Sequence, residues 1–146
     1  MRVYLDMCCL KRPFDDQSQP RIRLESEAVL ALLAAAGSEV ELVRGGALDL
    51  ENDQNPLPQR AAKVRLLLAA MPAASPLTEA MEGRTKELME LGFKNFDALH
   101  VASAEQIGAE VLGTCDDRFL AAAKRHGVIL KLRVLNPIDL AREVLS

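Results

Sequence analysis

The sequence predicts an α/β fold in which a parallel sheet is covered by helices on both faces. Short, strongly apolar segments such as "VYLDM" and "AEVLGTC" alternate with longer segments of helical periodicity. Strands of this kind are typical of parallel sheets buried between two layers of helices. With 146 residues and no internal repeat or linker, the chain is expected to form a single domain over residues 1–146.

The first half of the chain contains two predicted strands, at residues 3–7 and 39–43. Between them, "KRPFDDQSQP" is polar and rich in turn-forming residues, which predicts a loop. Apolar residues then recur at helical spacing from Arg21 to Ala36, and Gly37 is a natural end for that helix.

Three helices are predicted before the next strand. "GGALDLEND" indicates a short acidic helix, and "QRAAKVRLLLAAM" indicates a helix that Pro72 ends. "TEAMEGRTKELMELG" is amphipathic and ends at Gly92.

The remaining segment continues the alternation of helix and strand. Asn95 is predicted to be the N-cap of a helix over residues 96–107, which is followed by the strand "AEVLGTC". "DRFLAAAKRHG" is a helix with cations at its C-terminal end, and "LRVL" is the last strand. "NPIDLAREVLS" closes the chain as a helix capped by Asn136, with Pro137 at its first position.

Composition argues against several classes of protein. A formal net charge of −3 is unusual for a protein with a broad basic surface, and 3% aromatic residues are too few for a base-stacking platform. The longest apolar run, "AVLALLAAAG", is too short to span a membrane. The three cysteines are odd in number and lack a paired spacing, so a disulfide framework is not expected. We therefore expect a cytoplasmic protein with no membrane segment.

Acidic residues stand where the predicted strands end. Asp6 closes the first strand, Asp116 closes the strand "AEVLGTC", and Asp97 lies in the first turn of its helix. The short acidic helix adds Asp49 and Glu51. Parallel strands bind ligands beyond their carboxyl ends, and crowded carboxylates repel unless a cation neutralises them. Because all the donors are oxygens, the pattern indicates Mg²⁺ or Mn²⁺.

Two segments carry a family resemblance. "VYLDMCCL" resembles the opening strand of PIN-domain proteins, and "FDALHVASAEQIGAEVLGTCDDRF" resembles their second half. The resemblance implies a three-layer, Rossmann-like α/β/α sandwich with about five strands, and an endoribonuclease that depends on Mg²⁺ or Mn²⁺. It implies that catalysis and metal binding rest on Asp6, Glu51, Asp97 and Asp116, with Asp49 as the alternative to Glu51.

The resemblance also suggests how substrate and partners are held. Thr114 stands beside Asp116 as a site hydroxyl, and Asp117 is expected to cap the following helix. Lys11, Arg12 and Arg21 border the loop after the first strand and are expected to contact RNA phosphates. Many PIN proteins of this size are toxins bound by an antitoxin protein, and homodimers are usual among them.

Two other functions stay open at this point. PIN proteins commonly have Thr or Ser after the first aspartate, whereas Met7, Cys8 and Cys9 stand here, so a module that binds RNA or protein without cutting is the main alternative. A zinc protein that uses the cysteines with His100 is the second, although paired ligand spacing is missing. Otherwise we expect His100 to make a structural hydrogen bond and the cysteines to pack as small apolar residues.

Overall fold

The computed structural model describes residues 1–145 and contains a parallel sheet of four strands. The strands are β1 (Arg2–Leu5), β2 (Glu41–Leu42), β3 (Val111–Gly113) and β4 (Arg133–Leu135). They lie in the order β2-β1-β3-β4, so β1 and β3 form the centre of the sheet. The chain leaves β1 towards β2 on one side and returns as β3 on the other. This reversal is the point at which parallel α/β sheets bind ligands.

Eight α-helices and one 3-10 turn accompany the sheet in the described residues, and together they form the predicted α/β/α sandwich. The helices are α1 (Met7–Lys11), α2 (Pro20–Ala34), α3 (Gly46–Asp53), α4 (Pro58–Ala69), α5 (Glu79–Glu90), α6 (Asn95–Ile107), α7 (Asp117–Arg125) and α8 (Pro137–Leu145). The 3-10 turn, Arg12–Phe14, follows α1 directly. Within residues 1–145, none of these helices has the length and apolar character needed to cross a membrane.

Apart from Arg2, the residues of the two central strands are buried, as the apolar pattern predicts. Val3, Tyr4, Val111 and Leu112 have no exposed surface. Gly113 allows β3 to approach β1 closely, because a Cβ there would lie 2.9 Å from Leu5 Cδ2. The carboxyl ends of β1 and β3 are therefore held side by side, with the Asp6 amide donating to the Gly113 carbonyl at 3.0 Å.

The expected fifth strand is reduced to a single bridge. Ser75 pairs with Gly45 beyond the end of β2, through Ser75 N to Arg44 O and Gly46 N to Ser75 O, both 2.9 Å. The ladder does not extend, because Gly46, the next residue of the partner segment, is already the first residue of α3. The sheet thus has four strands instead of about five.

Several predicted boundaries differ from the observed ones, and two of the errors have a clear local cause. The first strand ends at Leu5, not at Met7, because the Asp6 side chain accepts from Cys9 N at 3.1 Å and begins α1. Asn95 is the first residue of α6 and not its N-cap. Lys94 occupies the cap position with extended backbone, and its carbonyl accepts from Ala98 N at 2.8 Å. The predicted loop after the first strand is also partly helical, since its first residues belong to α1 and to the 3-10 turn.

Candidate active site

Asp6 occupies the end of β1, at the centre of the sheet. Its carboxyl is 2% exposed, and burial raises its pKa from 3.8 to about 6. The Thr114 hydroxyl, His100 and the Cys9 amide lower the pKa and so offset part of this effect, while the Glu51 carboxylate raises it. A buried acid that stays anionic at neutral pH carries a large desolvation cost, which a bound cation would offset.

Asp97 lies in the first turn of α6 and is half-buried. Burial is the largest cause that raises its pKa to about 6, followed by repulsion from Asp6, Asp116 and Glu51, while His100 lowers it. The N-cap residues of α1 and α7 and one residue of α3 therefore act on one carboxyl group of α6.

Asp116 forms the N-cap of α7, which corrects the prediction that Asp117 does so. Asp116 Oδ1 accepts from Arg118 N at 2.9 Å and from Phe119 N at 3.4 Å. Asp117 is exposed instead and forms an ion pair with Arg21 at 2.7 Å. Both capping bonds use Oδ1, so the second oxygen of Asp116 takes no part in them.

Glu51, and not Asp49, forms a hydrogen bond with His100, which lies on the same helix as Asp97. Its Oε1 lies 2.5 Å from Nε2 of His100, one turn after Asp97 on α6. Asp49 forms an ion pair with Arg44 at 2.6 Å. Because the Asp49 charge is already neutralised, Glu51 is the better candidate of the two for a shared acidic site.

His100 connects the site to the core through Tyr4, a contact that the sequence reasoning missed. The Tyr4 hydroxyl lies 2.7 Å from His100 Nδ1, and both side chains are buried. Burial, and then the charges of Asp6 and Glu51, raise the pKa of Tyr4 well above its usual value, so the phenol keeps its proton. The only signal in the sequence is a tyrosine in the middle of an otherwise aliphatic strand.

The side chains of the four acids are not arranged as a set of metal ligands. Within residues 1–145, no group of three or more His, Cys, Asp or Glu side chains is arranged to hold a metal ion. In three of the acids, one carboxylate oxygen is engaged in a hydrogen bond within the protein. These oxygens are Asp6 Oδ1 with Cys9 N, Asp116 Oδ1 with the first amides of α7, and Glu51 Oε1 with His100 Nε2. The donors are nevertheless all hard oxygens around a buried carboxyl, a chemistry that fits Mg²⁺ or Mn²⁺.

Thr114 is fully buried between two of the acids. Its Oγ1 accepts from Asp116 N at 3.1 Å, and its hydroxyl lowers the pKa of Asp6. It therefore faces the carboxylates and the protein interior, where it orients Asp6 and Asp116, and it presents no surface to a substrate.

The predicted basic contacts are largely occupied by internal acids. Arg12 lies 3.1 Å from both Asp15 and Glu25. Arg21 is bound by Asp117 at 2.7 Å and by Glu25 at 3.4 Å. Glu25 has no exposed surface. Its neighbour Leu24, which is one of the apolar residues at helical spacing in this segment, is exposed instead. Lys11 is half-buried at the end of α1.

The cysteines pack as thiols. Cys9 and Cys115 are buried with their sulfurs 3.9 Å apart, and Cys8 is half-buried. Burial raises the pKa of Cys8 and of Cys9, whereas a cysteine that ligates a metal must lose its proton. Zinc binding by this pair is therefore disfavoured.

Comparison with known proteins assigns the chain to a family. No curated protein matches it significantly. The family model described as "PIN domain" matches residues 3–125, which extend from β1 to the last residue of α7 and include all four acids. The chain belongs to the PIN domain family, a family of nuclease type.

Proposed function

We propose that the protein is an endoribonuclease of PIN type that depends on Mg²⁺ or Mn²⁺. The observation that carries the proposal is the buried Asp6, which directly follows the central strand β1 and is held against the end of β3 by the hydrogen bond from its amide to the Gly113 carbonyl. The raised pKa of Asp97, caused by burial and then by the charges of Asp6, Asp116 and Glu51, supports the proposal. Asp6 follows β1 and Asp116 follows β3, at the edge of a parallel sheet where such folds bind ligands, and the charges of Asp116 and Glu51 act on the Asp97 carboxyl. Repulsion among them is the cost that a hard dication would remove.

Asp6, Glu51, Asp97 and Asp116 are the residues that would hold the ion. Asp6, Glu51 and Asp116 each anchor one oxygen in an internal hydrogen bond, which fixes the direction of the second oxygen. A divalent ion supplies charge neutralisation at the phosphate and a lower pKa for a nucleophilic water. One carboxylate of this group would accept the proton of that water.

The partners inferred from the family extend the proposal. RNA is the proposed substrate, and an antitoxin protein that blocks the acidic site and a second copy of the chain are the proposed partners. A toxin role and the homodimer rest on the resemblance alone and stay predictions. The acidic edge is the surface that an antitoxin would have to cover.

Cleavage by the Asp97→Asn variant tests the proposal. The parent is expected to cut single-stranded RNA in the presence of Mn²⁺, and the variant to be slower by roughly 10²-fold or more, the usual contribution of a proton-transfer group. Asp53→Asn, which changes an exposed acid at the end of α3, is the matched control. Equal cleavage by parent and Asp97→Asn, or none by either, would defeat the proposal.

A second function is supported by a specific observation. The described residues contain no assembled ligand set, and Met7, Cys8 and Cys9 offer no hydroxyl beside Asp6. A module that binds RNA without cutting it would show these features. Tight binding of RNA by the parent, without cleavage in either Mg²⁺ or Mn²⁺, would favour this function over the nuclease.

A further inference from the structure

A small cavity lies beside Asp97, where α6 and α7 begin. Its volume is about 290 Å³. The loop before α6 and one face of α7 line it, and its residues are Gly92, Phe93, Lys94, Asp97, Arg118, Phe119, Ala121, Ala122 and Arg125. One of the four acids of the candidate site therefore forms part of its wall.

Three cations surround this cavity: Lys94, Arg118 and Arg125. All three are exposed. Arg118 and Arg125 are seven residues apart on α7, so they project from the same face two turns apart. Three positive charges around one cavity repel each other, and an anion would relieve that repulsion.

These cations differ from most arginines of the protein in having no acidic partner. In residues 1–145, none of the three takes part in an ion pair, whereas seven arginines do. The paired arginines are Arg2, Arg12, Arg21, Arg44, Arg60, Arg84 and Arg133. These three cations give the edge of the acidic site a local positive charge in a chain whose formal charge is −3.

We propose that this cavity binds the backbone phosphate next to the scissile one in a single-stranded RNA. The proposal rests on the proposed function, since Asp97 places the cavity against the acids that would act on the scissile phosphate. Guanidinium and ammonium groups are the usual partners of phosphate oxygens, and such contacts set the register of the strand without reading its sequence. The three cavity cations take the place of Arg12 and Arg21 as the proposed phosphate contacts, because acidic side chains already neutralise those two arginines.

The test is the salt dependence of RNA binding, measured in EDTA so that no cleavage occurs. A fluorescein-labelled single-stranded RNA is titrated by anisotropy with the parent and with Lys94→Ala, Arg118→Ala, Arg125→Ala and the triple variant. Each single substitution should weaken binding several-fold. The triple variant should reduce the slope of log Kd against log salt by about 0.7, the value for one phosphate contact on a single strand, and each single substitution should remove part of that amount.

The control is Arg65→Ala, which removes an exposed arginine of α4 that has no ion pair in the described residues. It should leave the slope of the parent unchanged. Because the three cavity cations are exposed, the variants should melt at the temperature of the parent, and the single variants provide the comparison if the triple variant is less stable. A structural effect would change melting and leave the slope alone.

The results separate this proposal from the nuclease proposal. A triple variant that binds RNA with the slope of the parent would overturn the cavity site, even if the parent cleaves. If the parent does not cleave RNA but the variants show a smaller salt slope for RNA binding, the cavity site is supported and the nuclease proposal is defeated.

Discussion

Asp6→Asn should make the metal-free protein more stable at neutral pH. The buried carboxyl has a pKa of about 6 against 3.8 for an ordinary aspartate, so the folded state holds the proton more tightly than the unfolded state. The free energy of unfolding therefore falls as the pH rises from about 4 to about 6 and stays reduced above that range. At about 1.4 kcal/mol for each tenfold change in proton affinity, the loss is about 3 kcal/mol.

The asparagine keeps the shape and the hydrogen bond of the aspartate while removing its charge. Its side-chain oxygen can still accept from Cys9 N, which begins α1. We expect the variant to exceed the parent by up to about 3 kcal/mol near pH 7 and to match it near pH 3. Divalent ions should reduce this difference in the free energy of unfolding. They are expected to bind the site of the parent more tightly than that of the variant and so to stabilise the parent more.

Guanidinium denaturation followed by circular dichroism, at several pH values with EDTA or Mn²⁺, measures these differences. Asp53→Asn, an exposed acid of α3, is the control and should change stability by less than about 0.5 kcal/mol. The reasoning is refuted if Asp6→Asn is no more stable than the parent at neutral pH in EDTA. The reasoning is also refuted if the difference in free energy of unfolding between variant and parent does not increase between pH 4 and pH 6.

Substitutions at two further positions separate structural roles from chemical roles. Asp116→Ser keeps an N-cap for α7 and removes the carboxylate, so cleavage should be lost with stability nearly unchanged, whereas Asp116→Ala should also cost about 1 kcal/mol of stability. Denaturation and cleavage assays on the same samples check both results, and full activity of the serine variant would contradict a metal role for Asp116. Tyr4→Phe leaves His100 Nδ1 without its partner and should cost about 1–3 kcal/mol, with Mn²⁺ binding in calorimetry about tenfold weaker; unchanged affinity would show that Tyr4 does not orient Glu51.

Helices and strands were predicted well wherever short-range rules decide them. Gly37 and Pro72 follow helices close to where each was expected to stop, and Asn136 caps the last helix with Oδ1 on Ile138 N at 2.9 Å. The errors concern residues with more than one possible local role. Asp6 both follows a strand and caps a helix, and the sequence alone does not decide at which residue the strand gives way to that cap.

The site residues show the same division. Asp6, Asp97 and Asp116 were singled out because carboxylates at strand ends and helix starts are costly without a cation, and the structure places them within electrostatic reach of each other. Which acid of α3 joins them depended on Arg44, which neutralises Asp49. Which aspartate caps α7 depended on Arg21, a residue 96 positions earlier that pairs with Asp117.

By itself, the sequence determined that the chain forms a parallel α/β fold with acids at one edge, because burial, periodicity and capping act over a few residues. Only the tertiary structure decided which charges remain unpaired. It pairs Arg12 and Arg21 with acids, joins Tyr4 to Glu51 through His100, and leaves Lys94, Arg118 and Arg125 around a cavity beside Asp97. The physical reason is that ion pairs and hydrogen bonds depend on distances of a few ångströms between residues far apart in the chain, and chain folding alone sets those distances.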